Sequence, residues 1–332
     1  MVRGFLHLII LNVGGSLCIK MLELKDKKIL LTGGSGFLGS YVLSELQKQG
    51  ISDSQIIIPR LPGDDLRDIK NCRRLVQGCQ VVLHLAGITG DAQFHETKAA
   101  EIFYDNLIMG IQLMEASREL GVEKFVAIGS ATEYPENAPL PFREENLWMG
   151  RVGKLHEAYT VAKKMILVQG QAYQAQYHFP AVHLLMTNLY GPGKEAAGGF
   201  VITNIIRRVL EAQATAKEEI EVWGTGQPTR DFLYGTDAAR GIILAAEKYE
   251  GVEPINLGSG WEISIKELVE MICRLMDFKG KIIWNTEKPD GVLRRMLDTS
   301  HAEKAFGFRA LTSFEDGLRA TIDWHRAQKT AE

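Results

Sequence analysis

The sequence has few cysteines and no excess of charge of either sign. Four cysteines, Cys18, Cys72, Cys79 and Cys273, occur among 332 residues, and they have neither metal-ligand nor disulfide spacing, which is typical of reduced thiols in a cytosol. Lys and Arg total 38, and Asp and Glu total 41. This balance excludes the basic field of a nucleic-acid-binding protein and the acidic excess of a disordered one. We expect no metal centre and no nucleic-acid partner.

Long apolar runs are also missing. The strongest candidate follows Arg3 and covers residues 4–11, but a membrane-spanning helix needs about 20 apolar residues. No small-residue cleavage site follows convincingly, as a secretory signal would require. We interpret residues 1–21 as an N-terminal extension, with Met21 as an alternative start. We therefore expect a cytoplasmic protein without a membrane partner.

From residue 28 onward, short apolar runs alternate with amphipathic stretches. Predicted strands cover residues 28–32, 55–58, 80–86, 124–128 and 181–185, and predicted helices cover residues 40–49, 71–77, 102–120 and 154–177. Strands that alternate with helices form a parallel, doubly wound sheet. After residue 192 the rhythm changes to a loop, a helix over 200–212 and a hairpin-like segment near 221–226.

A glycine-rich turn lies between the first predicted strand and the first predicted helix. Gly33, Gly36 and Gly39 belong to the run Gly-Gly-Ser-Gly-Phe-Leu-Gly, which also contains Phe37 and Leu38. Glycines at this place allow a tight turn, and they let backbone N–H groups and the positive end of the helix approach a pyrophosphate. The turn predicts a dinucleotide-binding site.

These elements predict an α/β fold with a doubly wound parallel (Rossmann) sheet and a smaller C-terminal substrate lobe. We assign residues 22–190 to the dinucleotide-binding domain, with a return segment near residues 228–258. Residues 191–227 and 259–332 would then form the substrate-binding lobe over the strand ends.

The end of the second predicted strand indicates which dinucleotide is bound. It reads Ile58-Pro59-Arg60, with no carboxylate to accept hydrogen bonds from a ribose 2′-hydroxyl, whereas Arg60 suits a 2′-phosphate. We therefore favour NADP(H), and NAD(H) stays open as the alternative. Asp65 and Leu66 precede the helix predicted over 71–77 and suit contact with the adenine.

Tyr159 and Lys163 carry the predicted chemistry. They are four residues apart, so both lie on one face of the predicted helix. A nearby ammonium favours the phenolate, and it thereby lowers the pKa of a tyrosine that passes a proton to or from a carbinol during hydride transfer. The spacing alone is a common accident. It gains weight from Ser130, which follows an apolar strand, and from Asn106 in the helix predicted over 102–120.

From residue 28 to about residue 324 the sequence resembles the extended short-chain dehydrogenase/reductases, the NAD-dependent epimerase/dehydratase family, and within it the GDP-L-fucose synthases. The resembling stretches include the substrate lobe: Thr-Asn-Leu-Tyr-Gly-Pro at 187–192, Val-Trp-Gly-Thr-Gly at 222–226, Arg-Asp-Phe-Leu at 230–233, Ile-Asn-Leu-Gly-Ser-Gly at 255–260 and Lys-Pro-Asp-Gly at 288–291. The resemblance implies an enzyme that acts at C4 of a nucleotide sugar by hydride transfer, with a GDP-sugar as the leading substrate.

The resemblance also assigns roles to individual residues. Ser130, Tyr159 and Lys163 match the catalytic triad. The cofactor set, besides the glycine turn, Arg60, Asp65 and Leu66, comprises Ala86, Gly87, Asn106, Tyr159 and Lys163. The substrate set comprises Thr132, Asn188, Trp223, Arg230 and Lys288, of which the last three would face the nucleotide diphosphate. The two long helices predicted over 102–120 and 154–177 would pair with their mates in a homodimer.

The sequence departs from the fucose synthases at two positions that matter for epimerisation. Those enzymes use a cysteine two residues after the catalytic serine and a histidine just after Tyr-Gly-Pro, and this sequence has Thr132 and Gly193 there. A threonine does not exchange protons near neutral pH and a glycine has no side chain. We expect C4 reduction to be much faster than proton exchange at C3 and C5. Lys194 or Glu195 would be the first candidates to replace one member of the missing acid/base pair.

Other readings of the same residues stay open. The segment Ser130-Ala-Thr132 resembles that of the UDP-galactose 4-epimerases, which need no base beyond the tyrosine. A 4,6-dehydratase would have a glutamate at position 132, and Glu133 is one residue late, so it should point elsewhere. A non-catalytic dinucleotide sensor is the remaining alternative, because folds are reused. We expect His84 and His183, inside apolar strands, to be hydrogen-bonded core residues.

Overall fold

The structure is a computed structural model that describes residues 22–193, 201–288 and 290–331. Six parallel strands form the central sheet in the order β10-β5-β4-β3-β1-β2. They are β1 (Ile29–Thr32), β2 (Ile56–Ile57), β3 (Val81–His84), β4 (Lys124–Ser130), β5 (Ala181–Met186) and β10 (Ile255–Leu257). The prediction of an α/β fold with a parallel, doubly wound sheet is confirmed.

Helices cover both faces of this sheet. They are α1 (Phe37–Lys48), α2 (Ile69–Val76), α3 (Ala92–Thr97), α4 (Ala99–Glu119), α5 (Glu157–Tyr177), α7 (Gly235–Lys248) and α9 (Ser300–Phe306). Because side chains alternate along a strand, Leu31 packs in one core with α1, α7 and α9, while its neighbour Leu30 packs in the other with α2, α4 and α5. Strands buried on both faces are therefore apolar almost throughout.

A smaller lobe is built from the remaining elements. They are β6 (Asn188–Tyr190), β7 (Glu219–Trp223), β8 (Thr229–Arg230), β9 (Phe232–Tyr234), β11 (Ile263–Ser264), β12 (Lys281–Asn285), β13 (Arg294–Arg295), α6 (Val201–Ala214), α8 (Ile265–Leu275) and α10 (Phe314–Ala331). Apolar side chains of α6, α8 and α10 meet in one core with Ile220 and Val222 of β7.

The prediction of a hairpin-like segment near residues 221–226 is wrong. Strand β7 does not fold back on its own sequence but pairs in parallel with β12, with Ile220 opposite Ile282. Its alternation of buried Ile220 and Val222 with exposed neighbours fits a strand with one face on the lobe core. The glycines Gly224 and Gly226 end the strand instead of reversing it.

In the part of the chain that the structure describes, no helix has both the length and the apolar character needed to cross a membrane.

Candidate active site

The glycine turn joins β1 to α1 by close backbone contact. Gly33 has a φ of 70°, and a Cβ there would lie 2.8 Å from the backbone nitrogen of Ala86. A Cβ on Gly39 would overlap the carbonyl oxygen of Gly33. Only glycine leaves room for this approach, and Gly36 then caps the N-terminus of α1. Backbone N–H groups and the positive helix end are thus presented to an open cleft.

That cleft has a volume of about 590 Å³. It brings together most of the residues predicted to bind the cofactor, namely Gly33, Gly36, Phe37, Leu38, Gly39, Asp65, Leu66, Ala86 and Gly87. Asn106 braces its wall from behind, since its side-chain amide exchanges hydrogen bonds of 2.9 and 2.8 Å with the backbone N–H and C=O of Ile88.

Arg60 lies apart from the lining of this cleft. Its side chain is exposed, and its backbone N–H donates to the carboxylate of Asp64 at 2.8 Å. Arg67 lines the cleft instead, but its guanidinium is paired with Asp65 at 2.7 Å and with Asp105 at 3.1 Å. These hydrogen bonds raise the pKa of Arg67 further above its usual value.

Ser130, Tyr159 and Asn188 line an adjoining cavity of about 500 Å³. Ser130 stands at the end of β4, Asn188 begins β6, and Tyr159 lies in the first turn of α5. The amide of Asn188 donates to the backbone carbonyl of Asp231 at 2.9 Å, which fixes its orientation. Three residues distant in sequence thus face one space beside the glycine cleft.

Lys163 lies one turn further along α5 and is buried. Its Nζ is 5.8 Å from the centre of the Tyr159 ring, and a Cβ on Gly87 would lie 3.2 Å from it. Burial lowers the pKa of Lys163 to about 8. The pKa of Tyr159 is raised, chiefly by burial and also by the charge of Glu133. The expectation that the ammonium would dominate is wrong for this structure, because enclosure of the phenol outweighs it.

The hydroxyl groups around Ser130 form a chain. Thr160 Oγ1 donates to Thr132 Oγ1 at 3.2 Å, and Thr132 Oγ1 donates to Ser130 Oγ at 3.0 Å. The substitution of threonine at position 132 therefore supports the serine hydroxyl. Gly193 is described, while Lys194 and Glu195 lie outside the described residues.

Two histidines that the sequence analysis did not select also line the cavity that holds Ser130 and Tyr159. The rings of His95 and His156 are 4.5 Å apart and perpendicular, and His95 lies 5.9 Å from the Tyr159 ring. His95 Nε2 is hydrogen-bonded to Thr89 Oγ1 at 3.1 Å. Burial lowers the pKa of His156 to about 4 and also lowers that of His95. Both rings are therefore neutral near pH 7. His156, three residues before Tyr159, was detectable as a helical neighbour.

Arg230 and Arg295 face a smaller space of about 250 Å³ that continues from this cavity past Thr132 and His156. Enclosure by protein lowers the pKa of Arg230 to about 10 and also lowers that of Arg295. No carboxylate of the described chain lies within 4 Å of either guanidinium. Two cations without such partners suit a diphosphate. Arg295 was missed by the sequence analysis.

Trp223 and Lys288 form a second group at the rim of the lobe. The indole is 57 % exposed, and the Lys288 Nζ stands 5.4 Å from its centre, with the guanidinium of Arg208 at 5.8 Å. Asp290 ties the two segments together by accepting from the backbone N–H of Thr225 at 2.6 Å. An exposed ring with adjacent cations suits stacking of a nucleotide base.

The core histidines His84 and His183 have a hydrogen-bond partner for only one of their two ring nitrogens. The prediction that they are hydrogen-bonded core residues is therefore only half right. His84 Nδ1 is hydrogen-bonded to Thr32 Oγ1 at 2.9 Å, and His183 Nε2 lies 3.1 Å from Glu133. The other nitrogen of each ring is buried without a hydrogen-bond partner in the described chain. Burial, with the nearby charge of Lys163, lowers the pKa of His84 to about 3. Within the described residues, no three His, Cys, Asp or Glu side chains cluster as metal ligands.

Comparison with known proteins places this geometry among dinucleotide enzymes. Residues 29–258 match the model of the NAD dependent epimerase/dehydratase family. The chain is 35 % identical to GDP-L-fucose synthase of Sinorhizobium fredii over 91 % of this chain and 96 % of that one. It is 32 % identical to GDP-L-fucose synthase 1 of Arabidopsis thaliana over 91 % and 94 %. A GDP-L-fucose synthetase structure from Naegleria fowleri, bound to NADP, superposes with a TM-score of 0.84 at 26 % identity, covering 94 % of this chain and 96 % of that one.

The glycine turn gives a direct test of the cofactor cleft. Gly33→Ala should lower dinucleotide affinity at least about tenfold, or 1.4 kcal/mol, because its Cβ meets the backbone of Ala86. Gly78→Ala is the matched control, since Gly78 has a similar φ of 76° but open space around it. It should cost about 1 kcal/mol of folding stability and leave affinity unchanged. NADPH fluorescence titration and urea unfolding measure both quantities. Equal affinities of the two variants would contradict the assignment.

Proposed function

The chain belongs to the NAD dependent epimerase/dehydratase family, and on that premise we propose that it reduces the C4 ketone of a GDP-linked 4-keto sugar. The observation that carries the proposal is that the glycine cleft adjoins, at Thr89, the cavity lined by Ser130 and Tyr159. The buried Lys163 lies beside Gly87 of the cleft and Tyr159 of the cavity. The names of the relatives support GDP as the nucleotide. A reduced nicotinamide bound in the cleft would supply the hydride.

Tyr159 is the proposed proton donor. Hydride addition to C4 develops negative charge on the carbonyl oxygen, and a phenol on that oxygen neutralises it. The raised pKa of Tyr159 keeps the phenol protonated near neutral pH, which suits the reductive direction. Ser130 Oγ, which accepts a hydrogen bond from the Thr132 hydroxyl, can donate its own proton to the same oxygen. Lys163 holds a positive charge at the nicotinamide end of the cleft.

The nucleotide diphosphate is proposed to bind across the lobe. Trp223 would stack on the base, with Lys288 beside it. Arg230 and Arg295 would bind the phosphates, because they face a common space and have no carboxylate partner among the described side chains. Asn188, whose amide is fixed by Asp231, would contact the sugar near the nicotinamide.

NADP(H) is the proposed cofactor. The glycine cleft fits a pyrophosphate, since Gly33 and Gly39 allow the tight turn that presents backbone N–H groups and the N-terminus of α1 to it. No carboxylate follows β2 at Ile58-Pro59-Arg60, and the exposed Arg60 is free to turn toward a 2′-phosphate. The NADP-bound relative supports the same choice.

Arg60→Ala should narrow the preference for NADPH over NADH, because it removes the proposed partner of the 2′-phosphate. Arg67→Ala is the comparison variant, since Arg67 lines the cleft but is neutralised by Asp65 and Asp105, so it should change the preference less. Titration of both dinucleotides with each protein measures the ratio of affinities. Equal affinities for NADPH and NADH in the parent would refute the cofactor proposal.

Tyr159→Phe should lower the turnover of C4 reduction by about 10²–10⁴-fold, because the proton donor is lost. NADPH affinity should stay close to that of the parent. Lys163→Ala should impair both turnover and NADPH affinity. Tyr249→Phe is the control, since that hydroxyl donates only to the carbonyl of Glu253 at 3.0 Å, away from both cavities. NADPH oxidation with a GDP-4-keto sugar measures turnover. Near-parental activity of Tyr159→Phe would remove the tyrosine from the mechanism.

Epimerisation at C3 and C5 should be slow compared with reduction. It requires removal of a proton beside the ketone and its return on the opposite face, and Thr132 and Gly193 supply neither step. In deuterated water the reduced product should carry little deuterium at C3 and C5, as read by mass spectrometry.

Substantial deuterium at both carbons would contradict this expectation, and His156→Asn would then test the described histidines, as Lys194→Ala and Glu195→Ala would test the loop. Inversion of a GDP- or UDP-hexose at C4 without added cofactor, in the absence of ketone reduction, would instead favour the 4-epimerase suggested by Ser130-Ala-Thr132.

A homodimer through α4 and α5 is proposed as the working assembly. The two helices pack against each other, and apolar side chains on them stay exposed, among them Tyr104 at 61 %, Val168 at 41 % and Tyr177 at 46 %. Exposed apolar surface on paired helices is typical of a protein–protein interface.

A further inference from the structure

A carboxylate lies in the protein interior directly beneath Ser130. Glu133 is completely buried and His183 nearly so. The Glu133 carboxylate lies 3.1 Å from His183 Nε2 and accepts a hydrogen bond of 2.8 Å from the backbone N–H of Ser130. Burying a carboxylate without partners is strongly unfavourable, so the fold has to supply hydrogen-bond partners for Glu133.

The strand beneath the serine is shaped around this pair. A Cβ on Gly129 would overlap both the Glu133 carboxylate and the His183 imidazole. His183 reaches the same place from β5, where it lies opposite Ala127 of β4. Thus two small residues of β4 leave space for two polar side chains, and the carboxylate closes the turn that carries Ser130 and Thr132.

The turn that ends in Glu133 packs against α5, where Thr160 Oγ1 donates to Thr132 Oγ1 at 3.2 Å. Lys163, Lys164 and Tyr159 of α5 all lie within electrostatic range of Glu133. Lys164 is engaged elsewhere, since its Nζ donates to the carbonyl of Leu147 at 2.6 Å. Lys163 has no carboxylate within 4 Å among the described residues, so the negative charge that acts on it comes from Glu133 at longer range.

We propose that Glu133, held by His183, is a positioning residue that serves as the buried counter-charge of Lys163 and fixes the turn on which Ser130 stands. This role rests on the proposed C4 reduction, in which Lys163 has to stay protonated. Glu133 touches neither cavity, so it acts only through the residues above it.

The direction of its effect on pH dependence follows from the charges. Burial lowers the pKa of Lys163, and the Glu133 charge opposes that fall. The same charge contributes to the raised pKa of Tyr159. It also contributes to the raised pKa of Tyr134, the residue that follows Glu133 in the chain. Loss of the negative charge would therefore lower the pKa of both catalytic groups. Reduction needs both in the protonated form, so the alkaline limb of the activity profile would move to lower pH.

Glu133→Gln tests this, since glutamine keeps the size and the acceptor for Ser130. The alkaline limb of kcat/KM should move down by about one pH unit. Glu157→Gln is the matched control, because Glu157 lies two residues before Tyr159 but is paired at the surface with Arg151 at 2.8 Å. Its limb should coincide with that of the parent. NADPH affinity over the same pH range gives a second readout that needs no sugar. As the pH rises, Glu133→Gln should lose NADPH affinity at a lower pH than the parent does.

A second variant covers the case in which Glu133→Gln fails to fold. The double change Glu133→Val with His183→Val replaces the pair by apolar groups, which often preserves folding. It should show the same shift together with a loss at every pH, since valine cannot accept from the Ser130 N–H. An alkaline limb that coincides with that of the parent in either variant, with or without a uniform loss, would overturn the counter-charge role. If no GDP-4-keto sugar is reduced, the NADPH curve still decides the role of Glu133, and only the proposed substrate fails.

Discussion

The burial of the Lys163 ammonium is the constraint on which the active-site region depends. Taking an ammonium out of water costs several kcal/mol unless the surroundings compensate. Here the side chain is 3 % exposed, and no carboxylate of the described chain pairs with it directly. A directly paired lysine would have its charge neutralised before any ligand arrived. Because compensation comes from a distance, the ammonium keeps its field at the place where cofactor and sugar would meet.

The parallel sheet explains why the other groups converge on that lysine. The carboxyl ends of parallel strands lie at one edge of the sheet. The glycine turn follows β1, Gly87 comes shortly after β3, and Ser130 ends β4. Helix α5 crosses the same edge with Tyr159 in its first turn, so one helical turn separates the Tyr159 phenol from the Lys163 ammonium. The smaller lobe adds Arg230 and Arg295 through the parallel pairing of β8 with β13.

Sequence reasoning reached the parts of the site that depend on local order. The glycine turn, Ser130 after a strand and the spacing of Tyr159 and Lys163 all lie within single elements, so their positions follow from strand and helix geometry. The pairing of β7 with β12 joins residues about 60 positions apart, and no local pattern encodes it. His95 and Arg295 lie in segments without periodicity. Glu133 looked like a misplaced polar residue, and only the packing of β4 against β5 reveals its burial.

The two histidines do not restore the missing epimerisation pair, and the reason is geometric. Removal and return of a proton on opposite faces of a sugar requires groups on opposite sides of the cavity. His95 and His156 touch each other and therefore serve one side. Neutral imidazoles on one wall instead offer hydrogen bonds to sugar hydroxyls, which would hold the ring for hydride delivery without exchanging its carbon-bound protons.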